Sequence, residues 1–137
     1  MFEPQIIMGV NAPKSHQRII TKLITGLGHL YYTLGQIPYE PFPETMIDES
    51  QTSPTPDILL FDNENQKNIV IIEISSNTGA KKDMEKVIEL MHDYDIPEGF
   101  VYNYNKKIWM KYELTKGEIL ENPSFCNAIG YDLQQFI

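Results

Sequence analysis

Glu73 is the residue most out of keeping with its surroundings. It sits in the run Asn68-Ile69-Val70-Ile71-Ile72-Glu73-Ile74-Ser75, where every other residue from Ile69 to Ile74 is aliphatic. A carboxylate on a buried strand is costly to desolvate unless it is paired, protonated or bound to a metal ion. A second acid, Asp57, follows Pro56 at the head of the short apolar run Ile58-Leu59-Leu60-Phe61. Strand alternation puts Ile71, Glu73 and Ser75 on one face and Val70, Ile72 and Ile74 on the other. If the two runs are neighbouring strands, Asp57 and Glu73 converge at one end of a sheet. Two such carboxylates, with the backbone carbonyl of Ile74, make a hard-cation site suited to Mg2+ or Mn2+. A cation held there can activate water and stabilise the charge of a phosphodiester transition state. Taken singly, an aspartate after proline is common in turns and a strand glutamate can simply be ion-paired. The pairing of the two is the signal.

Several cations could assist. Lys81, Lys82 and Lys86 lie on or just before the next helix, where an ammonium could stabilise developing charge or orient the attacking water. For any one lysine a solvated helix face is the commoner role. Lys86 projects more than a quarter-turn from the apolar stripe Met84, Val87, Ile88 and Met91, so it is expected to reach only a site at the sheet's edge. His16, one turn before Ile20 on the first helix, could serve as a proton carrier or support a ligand, although a hydrogen-bonded core histidine is the more ordinary role. Lys14, Arg18 and Lys22 form a basic stripe best read as a wet helix surface. His29 and His92 have no partners at zinc-ligand spacing. No glycine-rich phosphate loop, nucleophile elbow or Cys–His pair occurs.

The elements that must position these residues follow from periodicity. Pro13 and Ser15 open a helix running to about Leu34, with Ser15 as N-cap, Gly35 as stop, and Ile20, Leu23, Ile24, Leu27, Tyr31 and Leu34 on one stripe. Gly26 and Gly28 weaken that helix but would allow a sheet to approach closely. Pro38, Pro41 and Pro43 reduce the next stretch to an irregular or edge strand. Strands are expected over Asp57–Phe61 and Asn68–Ser75, the latter central and buried on both faces. A second helix spans Ala80–Tyr94, and Phe100–Tyr104 and Lys107–Leu114 form a hairpin. A short strand near Glu118–Leu120 and a closing helix or docking segment complete the chain. The order is helix, three strands, helix, strands: an α/β domain with a mixed sheet flanked by helices.

Composition narrows the class. The chain has 137 residues, suiting one domain, with 42% hydrophobic residues, too many for a disordered chain. No apolar run approaches the ~20 residues of a membrane span, and Glu3 and Pro4 stand where a signal peptide would be basic and then apolar. The lone cysteine, Cys126, excludes an internal disulfide. A cytoplasmic location is the expectation. The net charge of −8 disfavours nonspecific coating of nucleic acid, and with Arg18 the only arginine, dedicated base readout is not expected.

Together these residues resemble the Uma-type (Uma-two) family of the restriction-endonuclease-like PD-(D/E)XK superfamily. The likeness runs through Ser15-His16-Gln17-Arg18-Ile19, Pro56-Asp57-Ile58-Leu59-Leu60 and Val70-Ile71-Ile72-Glu73-Ile74-Ser75. It continues into the helix with Asp83 and Lys86, Ile96-Pro97-Glu98-Gly99-Phe100-Val101, and the tail from Phe125 through Asp132-Leu133 to Phe136. It implies a single restriction-endonuclease-like domain over 1–137, with an N-terminal extension at 1–12 and a C-terminal docking segment at 123–137. It implies a divalent metal held by Asp57 and Glu73. Such proteins lack the usual lysine two positions after the glutamate, where Ser75 stands here, and use one displaced onto the next helix. Lys86 matches that lysine best, with Lys82 as rival because the Asp83–Lys86 spacing is one residue shorter than the family's. His16 matches a frequent helix-one histidine. The expected function is a metal-dependent nuclease acting on DNA; the alternative is a catalytically inactive nuclease-fold binding or assembly module. A third possibility is the same chemistry on RNA or another phosphodiester. A homodimer is expected if duplex cleavage needs two sites.

Overall fold

A computed structural model describes residues 13–50 and 52–137. The expected N-terminal extension at 1–12 lies outside the described residues. Helix α1, Lys14–Gly28, buries Ile19, Ile20, Leu23 and Leu27 along one stripe. It starts one residue before the expected cap. Pro13, with its fixed φ of −65°, takes the N-cap position, its carbonyl accepts from the Gln17 N–H at 3.0 Å, and Ser15 lies exposed in the first turn. A wider turn, His29–Thr33, continues the helix, and Gly35 ends the segment at φ +61°.

Six strands form one sheet in chain order: β1 (Glu40–Pro43), β2 (Ile58–Asp62), β3 (Lys67–Ser75), β4 (Glu98–Asn103), β5 (Ile108–Glu113) and β6 (Gly117–Ile119). Helix α2, Ala80–Tyr94, connects β3 to β4, which run parallel, while the remaining neighbours pair antiparallel. Crossing from one parallel strand to the next needs such an intervening helix. The proline-bearing strand β1 lies at an edge, as expected of a segment short of backbone donors.

Strand β3 is the hub. Val70, Ile72 and Ile74 face a core shared with α1, Ile58, Leu60, Phe100 and Leu133. Ile71 faces a second core with Leu59, Val101 and the α2 residues Met84, Val87 and Met91. The sheet is therefore covered by one helix on each face. Close approach to the sheet occurs at Gly99 of β4, where an added Cβ would lie 2.5 Å from Met91 Sδ and Val87 Cγ1. Gly26 instead accommodates the ring of Phe136, so the expected sheet approach at that glycine is made by the C-terminal segment.

Residues 123–137 contain a small hairpin, β7 (Phe125–Cys126) with β8 (Tyr131–Asp132), and a 3-10 turn, Leu133–Phe136. Lys111, buried on β5, fastens this segment by donating to the Phe125 carbonyl at 2.8 Å. Glu98 accepts the backbone N–H groups of Asn127 and Ala128 at 2.8 and 2.7 Å. Lys111 also pairs with Glu98 and Glu113, at 2.9 and 3.1 Å, so the buried charges compensate one another.

Candidate active site

The β2–β3 register pairs Ile58 with Ile72, and one step further places Asp57 across from Glu73. The two acids are joined through backbone rather than to each other. The Asp57 N–H donates to Glu73 Oε2 at 2.8 Å, and the Ile74 N–H donates to Asp57 Oδ2 at 2.8 Å. Each carboxylate is thus held by the neighbouring strand, at the end of the sheet where β2 begins and β3 finishes.

Cations approach from both helices. At the start of α1, His16 Nε2 lies 3.2 Å from Asp57 Oδ2, and its Nδ1 lies 2.8 Å from Gln17 Oε1. With an acceptor at each ring nitrogen, the imidazolium can donate twice. The Asp57 hydrogen bond, supported by that of Gln17 and opposed by burial, pushes the His16 pKa up to about 9. From α2, Lys86 Nζ reaches Glu73 Oε1 at 3.4 Å. The Lys86 side chain is 48% exposed and that of Glu73 only 8%, so the pair is loose and its ammonium remains largely hydrated. Burial, reinforced by the Asp57 charge and opposed by Lys86, pushes the Glu73 carboxyl up to about 7.

Lys86 was expected to reach only the sheet's edge. It meets a carboxylate on a central strand because Glu73 lies near the end of β3, close to where α2 begins. Lys82 is exposed and makes no ion pair among the described residues. A further pair joins the site: the Ser75 hydroxyl donates to Asp83 Oδ2 at short range. The negative charge of Asp83 also raises the Glu73 pKa. Two signals for this pair were present in the chain. Ser75 shares the Glu73 face, and Asp83 stands three residues before Lys86, so one side of α2 carries both.

The donor set can be tested against a divalent cation. Asp57 Oδ2 is engaged, whereas Oδ1 has no hydrogen bond among the described residues, and Glu73 Oε1 meets only Lys86. The Ser75 carbonyl accepts from the Tyr104 N–H on the β4 side, so Ile74 presents its own backbone groups toward β2 and Asp57. No group of three or more His, Cys, Asp or Glu side chains able to hold a metal occurs among the described residues. Magnesium is commonly held by one or two carboxylates while retaining several waters, and two acids with a carbonyl fit that habit.

No family model and no curated protein matches the chain. Solved structures do. A candidate nuclease belonging to DUF820 from Anabaena variabilis ATCC 29413 is similar at a TM-score of 0.66 and 16% identity, over 90% of this chain and 80% of that one. The type IIG restriction endonuclease BpuSI is similar at a TM-score of 0.50 and 13% identity, over 87% of this chain. The chain covers 14% of that enzyme's length. The architecture is a restriction-endonuclease-like fold. Among the described residues, no helix is long and apolar enough to cross a membrane.

Proposed function

We propose that this chain is a metal-dependent nuclease of the Uma type, hydrolysing phosphodiester bonds in DNA. The observation that carries the reading is the meeting of Asp57, Glu73 and Lys86 at one end of the central strands. Asp57, Glu73 and the Ile74 carbonyl would hold Mg2+ or Mn2+, which when bound supplies Lewis-acid stabilisation of phosphate charge. His16 and the Ile74 N–H fix Asp57 through Oδ2, leaving Oδ1 without a hydrogen bond among the described residues. Burial and like charge disfavour ionised Glu73, so its charged form gains from a nearby cation. Lys86, half-exposed beside Glu73, would orient the attacking water or stabilise the charge that develops on phosphorus oxygens.

A second reading has its own support. Each carboxylate already faces a cationic side chain, His16 or Lys86, and the net charge is −8. A nuclease-fold binding or assembly module needs nothing more. Incubation of plasmid DNA with Mg2+ or Mn2+ separates the two. Cleavage by the wild type that falls at least 100-fold in Asp57→Ala and Glu73→Ala supports the nuclease. Equal cleavage by all three proteins identifies a contaminant. No cleavage, with no metal binding by calorimetry, favours the module. The nuclease reading also calls for a homodimer for duplex cleavage, and sedimentation showing only monomer at working concentration would remove that part.

A further inference from the structure

We propose that Lys81, Lys82, Lys106 and Lys107 form a bank beside the carboxylate site that binds the phosphate backbone of duplex DNA. The choice of DNA as the polyanion rests on the nuclease-fold reading; the bank itself rests on where the charges lie. A chain of net charge −8 repels phosphate on average, so it can accept a nucleic acid only where that field is locally reversed.

The four lysines belong to two segments that are distant in sequence. Lys81 and Lys82 open α2, and Lys106 and Lys107 form the β4–β5 turn. Both segments stand at the end of the sheet where β3 delivers Glu73. An asparagine network ties them together. The Asn77 N–H donates to Asn105 Oδ1 at 2.7 Å, and Asn103 Nδ2 donates to Asn77 Oδ1 at 3.1 Å. Asn103 Oδ1 in turn accepts the N–H groups of Asn105 and Lys106 at 3.0 and 3.2 Å. The Tyr104 N–H closes onto the Ser75 carbonyl at 3.0 Å. The loop before α2 and the β4–β5 turn are therefore held at a fixed separation, and Lys81 and Lys106 line one groove of about 410 Å³ between them, together with the acids Glu85 and Glu118.

All four lysines are exposed, and none makes an ion pair among the described residues. This holds for Lys81 even though Glu85 stands four residues later, at a spacing where helix pairs form. The opposite end of the sheet carries exposed Glu64, Asp93 and Asp95 on the β2–β3 turn and at the close of α2. The fold thus brings four lysines without ion-pair partners among the described residues together near the acids that would handle a phosphodiester, while Lys67 stands at the opposite end.

The test measures anisotropy of a fluorescent 20-base-pair duplex against salt, in EDTA so that nothing is cut. Wild type is compared with the triple variant Lys81→Gln, Lys106→Gln, Lys107→Gln, and with an opposite-end control, Lys67→Gln with Lys116→Gln. Each lost phosphate contact lowers the slope of log affinity against log salt by about 0.9, so the triple variant should lose about 2.7 and the control nothing. Cleavage in Mg2+ is followed in parallel. Binding through the bank with no cleavage sustains this proposal while the nuclease reading fails. Cleavage that depends on Asp57 and Glu73, with an unchanged slope in the triple variant, overturns the bank and leaves the nuclease standing. No binding at low salt overturns the bank outright, as does equal loss in the control.

Discussion

Glu73 concentrates the tension in this molecule: it is buried, it lies beside Asp57, and its single ammonium partner is half in water. Its folded pKa of about 7 lies above the ordinary 4.5, so between those values the folded protein binds a proton that the unfolded chain releases. Stability therefore falls as pH rises through that window, and the ionised side chain is a net cost above it. Glu73→Gln keeps an acceptor for the Asp57 N–H and removes the charge. Urea denaturation at pH 8 should find this variant more stable than wild type by about 2 kcal/mol, with the gap shrinking toward pH 4. A variant less stable at pH 8 would show that Lys86 outweighs burial. The oddity of Glu73 and the turn position of Asp57 were legible in the chain, because an acid among aliphatics violates a local rule. The Ser75–Asp83 bond was not singled out, since a serine on a strand and an aspartate in a helix's first turn are each unremarkable alone.

At the scale of elements, both helices, the edge strand and the central strand could be placed from periodicity and proline positions. What aims the site is how α2 lies on the sheet. Its apolar face meets β4 at Gly99, where the missing Cβ lets Met91 and Val87 sit against the backbone. Gly99→Ala would force two packed side chains aside, and about 1–3 kcal/mol of stability should be lost, read as a lower urea midpoint. Because the same helix carries Lys86 and Asp83, displacement of α2 should also lower any cleavage activity more than the stability loss explains. Unchanged stability would mean that α2 can slide without cost. The helix starts were less legible than the helix bodies. Ser15 had a cap's chemistry, but Pro13 already fixed the backbone two residues earlier.

Across the whole molecule, the C-terminal segment is fastened by a buried knot of charge. Lys111 is 2% exposed and holds Glu98, Glu113 and the Phe125 carbonyl, welding the C-terminal segment to β4 and β5. Lys111→Met preserves volume but leaves two acids without their cation. The expected loss is about 3–5 kcal/mol, with faster proteolysis of residues 123–137. A loss under about 1 kcal/mol would show the knot to be dispensable. Nothing in the chain marked this lysine, because strand alternation alone does not distinguish a buried cation from an exposed one.

Local chemistry alone determined which residues share a face, where helices and strands run, and that Glu73 needed a partner, since side-chain periodicity is set by a few neighbouring residues. Tertiary structure decided which partners were met. His16 comes to Asp57, Asp57 to Glu73, and Lys86 to Glu73 across separations of 41, 16 and 13 residues. Those meetings depend on strand register and on the packing of each helix against the sheet. Both are properties of surfaces that exist only once the chain has closed on itself.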